Sequence, residues 1–464
     1  MRAKIILSLS LLVPFALLFI YVWSTATDVV VRDDIYIIKG GPIENYLNGT
    51  LTFSDLWRPS DGQRFLGFNL LMLADAKWFS LNRRAFALLI PFFTLAATLL
   101  IYRDYRRSLQ PDRSLEFINT TFIILALIIF NIIQWESLIF GYALSYQSSL
   151  PFFIASFYGL ELFLSRGGLK YFLLAFSSNA LAILVFSGKL YITYPPALAL
   201  SFLCCTLTHS GSTKNFWSRS VIIGLFLAFI AFIYMYKLNQ NDYVTAQVFY
   251  AAEILNNPIQ AVQFLLASFG ASVIGVDVFF SCNYFSFHSM VLLGLVMVFL
   301  YMISVFLFFR SRMFEKTYLP FFLMMLTCVY LFFMLFRRFG LGIDYGMASR
   351  FTYVSILGIA AMAWIFIYVL TRSVKPNLWL SGIMYSGFTI IFTGLIITTL
   401  IVWHVQPDRK AYLAKLRDIA MRVDTATPEE LSKIGLFPEQ VRETLQLLRE
   451  HKLNVYHETT DARE

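Results

Sequence analysis

The stretch IILSLSLLVPFALLFIYVWSTATDVVVRDDIY, residues 5–36, decides the fold. Its first part, from Ile5 to Trp23, is predominantly apolar and matches the roughly 20 residues a helix needs to cross a bilayer. Its last part, Arg32-Asp33-Asp34-Ile35-Tyr36, sets two adjacent carboxylates at a membrane edge. An ionisable pair there loses part of its hydration, which points to function before structure. Arg2 and Lys4 precede the apolar run and Ser24-Thr25-Ala26 follows it, as in a signal peptide. The run is longer than a usual signal core, so it is read as an uncleaved anchor.

The whole chain of 464 residues continues this pattern: 58% hydrophobic, 17% aromatic, 14% charged, with a mean hydropathy of +0.67. This excludes an ordinary soluble domain. Long continuous apolar runs call for helices, which satisfy their own backbone in lipid. Spans are expected at 5–23, 84–102, 116–134, 146–164, 171–188, 193–208, 219–236, 289–309, 318–336, 351–371 and 380–402, about eleven in all. With the N-terminus inside, every inner connection is basic: Arg103/Arg106/Arg107/Arg113, Arg166/Lys170, Lys214/Arg219, Arg310/Arg312/Lys316 and Arg372/Lys375. That is the positive-inside pattern, and it accounts for the net charge of +9 without nucleic acid. The segments 64–79 and 258–275 are short or glycine-broken and either span the bilayer or lie at the interface; the basic inner connections argue against exactly one of them crossing.

The expected architecture is an all-α polytopic membrane domain, 1–402, with long outer loops at 24–83 and 237–288, followed by an outer tail, 403–464. In the tail, Thr427-Pro428-Glu429-Glu430 reads as a helix start. Val441, Leu445 and Leu448 recur at helical spacing in a second helix. Of the four cysteines, Cys204, Cys205 and Cys328 sit in apolar runs, so no disulfide framework is implied. The five histidines are scattered, no metal site is expected, and no phosphate loop or nucleophile elbow is present in the sequence.

Candidate chemistry gathers on the outer side. Asp33 and Asp34 are candidates for a general base, which must reach the hydroxyl it deprotonates. Arg64 opens the amphipathic segment 65–79 and could clamp a phosphate through its fork of N–H donors. Gln134-Trp135-Glu136, followed by Gly141-Tyr142, places a carboxylate between interfacial aromatics that could contact sugar hydroxyls. Lys189 closes the fifth expected span as a lone cation. Arg337, Arg338, Asp344 and Arg350 crowd one short outer connection against the charge rule, as compensation of a phosphate leaving group requires.

Taken together these residues resemble the GT-C superfamily of multi-spanning glycosyltransferases. Within it they are most similar to the bacterial branch that uses polyprenyl-phosphate sugars, including the Gtr-type serotype-converting glucosyltransferases of O-antigen. The resemblance is carried by Asp33-Asp34, by Gly49-Thr50-Leu51-Thr52-Phe53-Ser54-Asp55-Leu56-Trp57, by Gln134-Trp135-Glu136 with Gly141, by the stretch from Gly340 to Ser349-Arg350, and by Leu436-Phe437-Pro438 leading to Val441 and Leu447. Relatives often carry an Asn-Glu-His-Arg run where this chain has Ser60-Asp61-Gly62-Gln63-Arg64, so only the arginine is kept. The resemblance implies an undecaprenyl-phosphate sugar donor, with glucose the expected sugar, and an O-antigen or other lipopolysaccharide glycan as acceptor. It implies inversion at the anomeric carbon on the periplasmic face of the inner membrane, with Asp33 or Asp34 as base and no cofactor. Two rival readings share the architecture. An O-antigen polymerase or ligase would lengthen chains, and a lipid-linked sugar flippase should show related halves around midplane charges.

Overall fold

The computed structural model describes residues 2–57, 59–60, 63–64, 66–110, 112–185, 193–208, 224, 250–281, 286–371 and 378–457. Almost all of this is helix. Besides turns and loops, the described residues include a pair of two-residue strands, Pro59–Ser60 (β1) and Gln63–Arg64 (β2), antiparallel with Pro59 opposite Arg64.

Twelve helical stretches organise the site: α1 (Arg2–Thr25), α2 (Asp33–Ile38), α3 (Leu66–Trp78), α4 (Arg83–Leu109), α5 (Leu115–Gln134), α6 (Gly141–Arg166), α7 (Phe287–Arg310), α8 (Leu319–Leu341), α9 (Ser349–Leu370), α10 (Leu378–His404), α11 (Gln406–Met421) and α12 (Pro438–Glu450). Eight of them, α1, α4 to α6 and α7 to α10, are long and apolar enough to cross a bilayer. The chain is an all-α multi-pass membrane protein. Of the other expected crossings, 171–188 and 193–208 correspond to the shorter apolar helices Leu169–Ile183 and Tyr194–Cys204, and 219–236 falls outside the described residues. The segment Pro258–Ala271 is a helix of 14 residues.

The bundle is built around α9, whose apolar window is 94% buried while that of α1 or α10 is only 33% buried. Neighbours, not apolarity alone, put it there: α9 packs against α4, α5, α7, α8 and α10. Trp364, fully buried, donates its indole N–H to Ser108 Oγ at 3.0 Å and so ties α9 to α4. The outer helices turn Leu9, Leu12, Leu17 and Ile20 of α1 and Leu292, Leu295 and Phe299 of α7 outward, as lipid contact requires. Where helix Pro258–Ala271 crosses α7, a side chain at Gly294 would collide with the Leu266 carbonyl, so the glycine sets the close approach. Some polar side chains tie helices together inside the bundle. Asn119 donates to the Ala3 carbonyl at 2.7 Å and accepts from Tyr102 Oη at 2.6 Å, linking α1, α4 and α5.

The tail is a helical cap. Thr427 and Glu430 form a reciprocal capping box, and α12 buries Val441, Thr444, Leu445 and Leu448. The cap is stitched to the segment that carries α2. Arg32 N–H donates to the Ile434 carbonyl at 2.7 Å, and Leu436 N–H donates to Tyr36 Oη at 2.7 Å. Asn454 donates to the carbonyls of Asp28 and Leu81 and accepts from Val30 N–H at 3.3 Å. Tail, α2, the starts of α4, α6 and α9 and the end of α8 therefore meet at one end of the bundle.

Candidate functional site

Helix α2 is short and begins with both acids in its first turn, where the exposed N–H groups favour negative charge. Neighbouring positions on a helix point about 100° apart, so the two carboxylates diverge. Asp34 turns inward. Arg83 Nη2 and Nε grip its two oxygens at 2.5 and 3.1 Å, and both side chains are 1% exposed. Burial pushes the Asp34 carboxyl above the usual carboxylate range, and the two-pronged contact with Arg83 opposes it. Arg83 also lies 3.6 Å from Asp75, whose carboxyl burial pushes up to about 7 against the pull of the same guanidinium. Gly141 makes this possible, because a Cβ there would sit 2.6–2.7 Å from three guanidinium atoms of Arg83. Of the two candidates for the base, Asp34 is thus the one that is buried and paired with Arg83.

Asp33 turns outward. It is exposed, and Tyr146 Oη donates to it at 3.4 Å. Tyr146 stacks on Tyr353 of α9, with centroids 6.4 Å apart, so the phenol is held from behind.

Glu136 is the hub beside it. Arg32 Nη1 donates to one carboxylate oxygen at 2.9 Å, while Ser349 Oγ and the Arg350 backbone N–H donate to the other at 3.0 and 3.3 Å. Burial alone would raise the Glu136 carboxyl, but Arg350 and Arg32 outweigh it and hold the group below the usual glutamate range. Glu136 thereby fixes the start of α9 to the end of α5 and to the residue before Asp33. Arg32 holds a left-handed φ of 52°, a conformation costing a non-glycine residue on the order of 1–3 kcal/mol. Its bonds to Glu136 and Ile434, and the Phe140 ring 4.9 Å from its guanidinium, keep it there.

Tyr142, buried and stacked on Phe140, feels the charges of Asp33, Arg32, Glu136 and Arg350 together. Beyond it, Arg338 and Arg350 both face the Tyr345 ring, at 5.9 and 5.0 Å from its centroid, and Arg350 also donates to the Tyr345 hydroxyl. No ion pair engages Arg338 or Arg350 through its guanidinium among the described residues. Two guanidinium groups on one ring can hold a phosphate oxyanion while an exposed carboxylate nearby accepts a proton.

Of the residues singled out in the sequence, Asp33, Asp34, Glu136, Tyr142, Arg338 and Arg350 meet in this region. Trp135 does not face Asp33. Its ring lies 3.8 Å from the Arg409 guanidinium, which bonds Tyr21 Oη at 2.9 Å and Asp277, so it anchors the start of the tail. Arg337 rests on Phe333 of its own helix, 5.9 Å from the centroid. Asp344 is exposed, and the partner of the Arg350 side chain is Tyr345. Arg64 lies in β2, in a part whose side chains are not described, and Lys189 falls outside the described residues. Sequence reasoning missed Arg83, Arg32, Ser349 and the role of Tyr146. Arg83 was within reach: Arg83-Arg84 begins a membrane-length helix at the same end as Asp33, against the same charge rule that flagged Arg337 and Arg338. No protein-family model matches the chain, and no curated protein sequence matches it.

Proposed function

We propose that this is a GT-C-like glycosyltransferase that moves a single sugar from a polyprenyl phosphate to a glycan hydroxyl on the periplasmic face of the bacterial inner membrane, with inversion. The observation that carries this reading is the contrast within the acidic pair. One carboxylate, Asp33, is left exposed beside Tyr146, while its neighbour is consumed by Arg83. An exposed acid at the same end of the bundle as the guanidinium groups of Arg338 and Arg350 suits a base acting on an acceptor hydroxyl. The hydroxyl oxygen bonds to the anomeric carbon, the bond from that carbon to the phosphate oxygen breaks, and the polyprenyl phosphate leaves into the grip of Arg338 and Arg350. The proton ends on Asp33. Glucose, undecaprenyl phosphate and an O-antigen acceptor are the partners the sequence resemblance suggests.

Eleven crossings fit the same reading. The eight membrane-length helices need three more crossings between Arg166 and Phe287 to reach that count. The three expected there, at 171–188, 193–208 and 219–236, supply that number.

The test is transfer of labelled sugar from the lipid donor in proteoliposomes. Asp33→Asn should lower turnover by about 10²–10⁴-fold, and Asp33→Glu should recover part of it. Wild-type turnover in Asp33→Asn overturns the assignment. Chain elongation in the product would instead favour a polymerase, and lipid movement without covalent transfer a flippase.

A further inference from the structure

At the opposite end of the bundle, the last turns of α4 carry Arg103, Arg106 and Arg107, which with Tyr102 and Gln110 line a cavity of about 510 Å³. Spacings of three and four put the three guanidinium groups on one helix face, where like charges repel. Among the described residues only Arg107 of the three forms ion pairs. Arg107 pairs with Asp104 at 2.6 Å and with Glu161 of α6, and the Thr317 hydroxyl sits within hydrogen-bond reach of both acids. Asp104 is 0% exposed and Glu161 11%, so these carboxylates face into the bundle, away from the cavity. The Tyr158 ring supports the group from below, 4.9 Å from the Arg103 guanidinium and 5.4 Å from that of Arg107. Arg103 and Arg106 remain exposed, and among the described residues no ion pair engages either.

The result is a concavity with an anchored floor and, at its rim, two exposed guanidinium forks that no ion pair engages among the described residues. Nothing in the proposed transfer uses it, since α4 alone separates it from Arg83 by roughly 1.5 Å per residue over its whole length. Guanidinium forks match phosphate oxygens in geometry as well as charge. The cavity also lies at the end of a membrane-length helix, which is the depth of lipid headgroups. We infer that the Arg103–Arg106–Arg107 cavity is a binding site for the phosphate of an anionic phospholipid headgroup.

The experiment uses the full-length protein in neutral detergent, with lipid retention read by native mass spectrometry and stabilisation by thermal unfolding. The probes are phosphatidylglycerol, phosphatidylcholine and inorganic phosphate. Phosphatidylglycerol should bind and raise the melting temperature where phosphatidylcholine does not. Replacing both exposed residues, Arg103→Gln with Arg106→Gln, should weaken that binding about 30-fold, from roughly a fivefold contribution per surface arginine. The control is Arg312→Gln, a 73% exposed arginine in the α7–α8 loop, which should leave binding unchanged. Equal binding by the double variant, equal binding of phosphatidylcholine, or an equal loss in Arg312→Gln overturns the site. Stabilisation by inorganic phosphate matching that by phosphatidylglycerol overturns the lipid as its ligand.

Discussion

The divergence of Asp33 and Asp34 makes a sharp prediction, because two chemically identical changes one residue apart should fail in different ways. Asp34→Asn keeps the shape of the side chain and removes the charge that Arg83 grips at 2.5 and 3.1 Å. The guanidinium, 1% exposed, would then keep Asp75 at 3.6 Å as its one carboxylate among the described residues, beside the Met72 sulfur, the Phe86 ring and a neutral amide. Breaking one side of a buried pair typically costs about 3–5 kcal/mol. Asp75 recovers part of that, which places the expected loss toward the lower end. Asp33→Asn changes an exposed side chain with a single 3.4 Å contact, so stability should stay within about 0.5 kcal/mol. Unfolding by increasing SDS fraction in mixed micelles measures both variants, and transfer from the lipid donor measures activity. The double variant Asp34→Asn with Arg83→Met removes the stranded charge and should unfold later than Asp34→Asn alone. Wild-type stability in Asp34→Asn, or a large loss in Asp33→Asn, would refute the division of labour.

Three further outcomes follow from neighbouring contacts. Gly141→Ala puts a methyl group 2.6–2.7 Å from the Arg83 guanidinium, which is hemmed in by Asp34 and by the Phe86 ring at 4.5 Å. It should destabilise by about 1–3 kcal/mol, and an unchanged unfolding curve would contradict the packing. Glu136 has a folded-state pKa lowered by Arg350 and Arg32 against its burial, so its contribution is fully present above the ordinary glutamate value and is lost as pH falls through the lowered one. Glu136→Gln should therefore flatten the acid limb of the stability-against-pH curve, and an identical limb in both proteins would count against it. Asn454→Ala leaves Val30 N–H and the Asp28 and Leu81 carbonyls without their side-chain partner, at a cost of about 1–3 kcal/mol. Limited proteolysis between residues 26 and 31 should then accelerate, and an unaltered digestion rate would show that the tail does not hold this segment.

The membrane architecture was legible because hydropathy acts over whole segments. Eight expected spans coincide with helices long and apolar enough to cross, and the start of the tail helix could be read from Thr427-Pro428-Glu429-Glu430 because its capping box is a local arrangement. Which helix sits at the centre was not legible. Helices α7 and α9 are both apolar throughout, yet 39% of one window and 94% of the other is buried. That difference is set by neighbours far apart in sequence, and a helix surrounded by lipid needs no polar face to mark its outside. The cap gave the same difficulty. Amphipathic spacing located α12, but nothing local to Asn454 announces that it bonds residues 28, 30 and 81.

The site was legible to the level of charge and no further, and the reason is rotational. A rule that flags charges at the wrong membrane edge selects Asp33, Asp34, Glu136, Arg338 and Arg350 without stating which way each points. Trp135 and Glu136 are consecutive, yet one meets Arg409 and the other Arg32 and Ser349. Arg337 and Arg338 likewise part, one to Phe333 and one to Tyr345. In each pair the step of about 100° decides whether a side chain serves the scaffold or the open face, and only the partner across the bundle reveals which. The partner of Asp34 is Arg83, a cation on a different helix whose room depends on Gly141 on a third. An acid that finds such a partner is held and satisfied. The acid beside it, Asp33, stays exposed with Tyr146 at 3.4 Å, and in the proposed function it is the group that takes the proton.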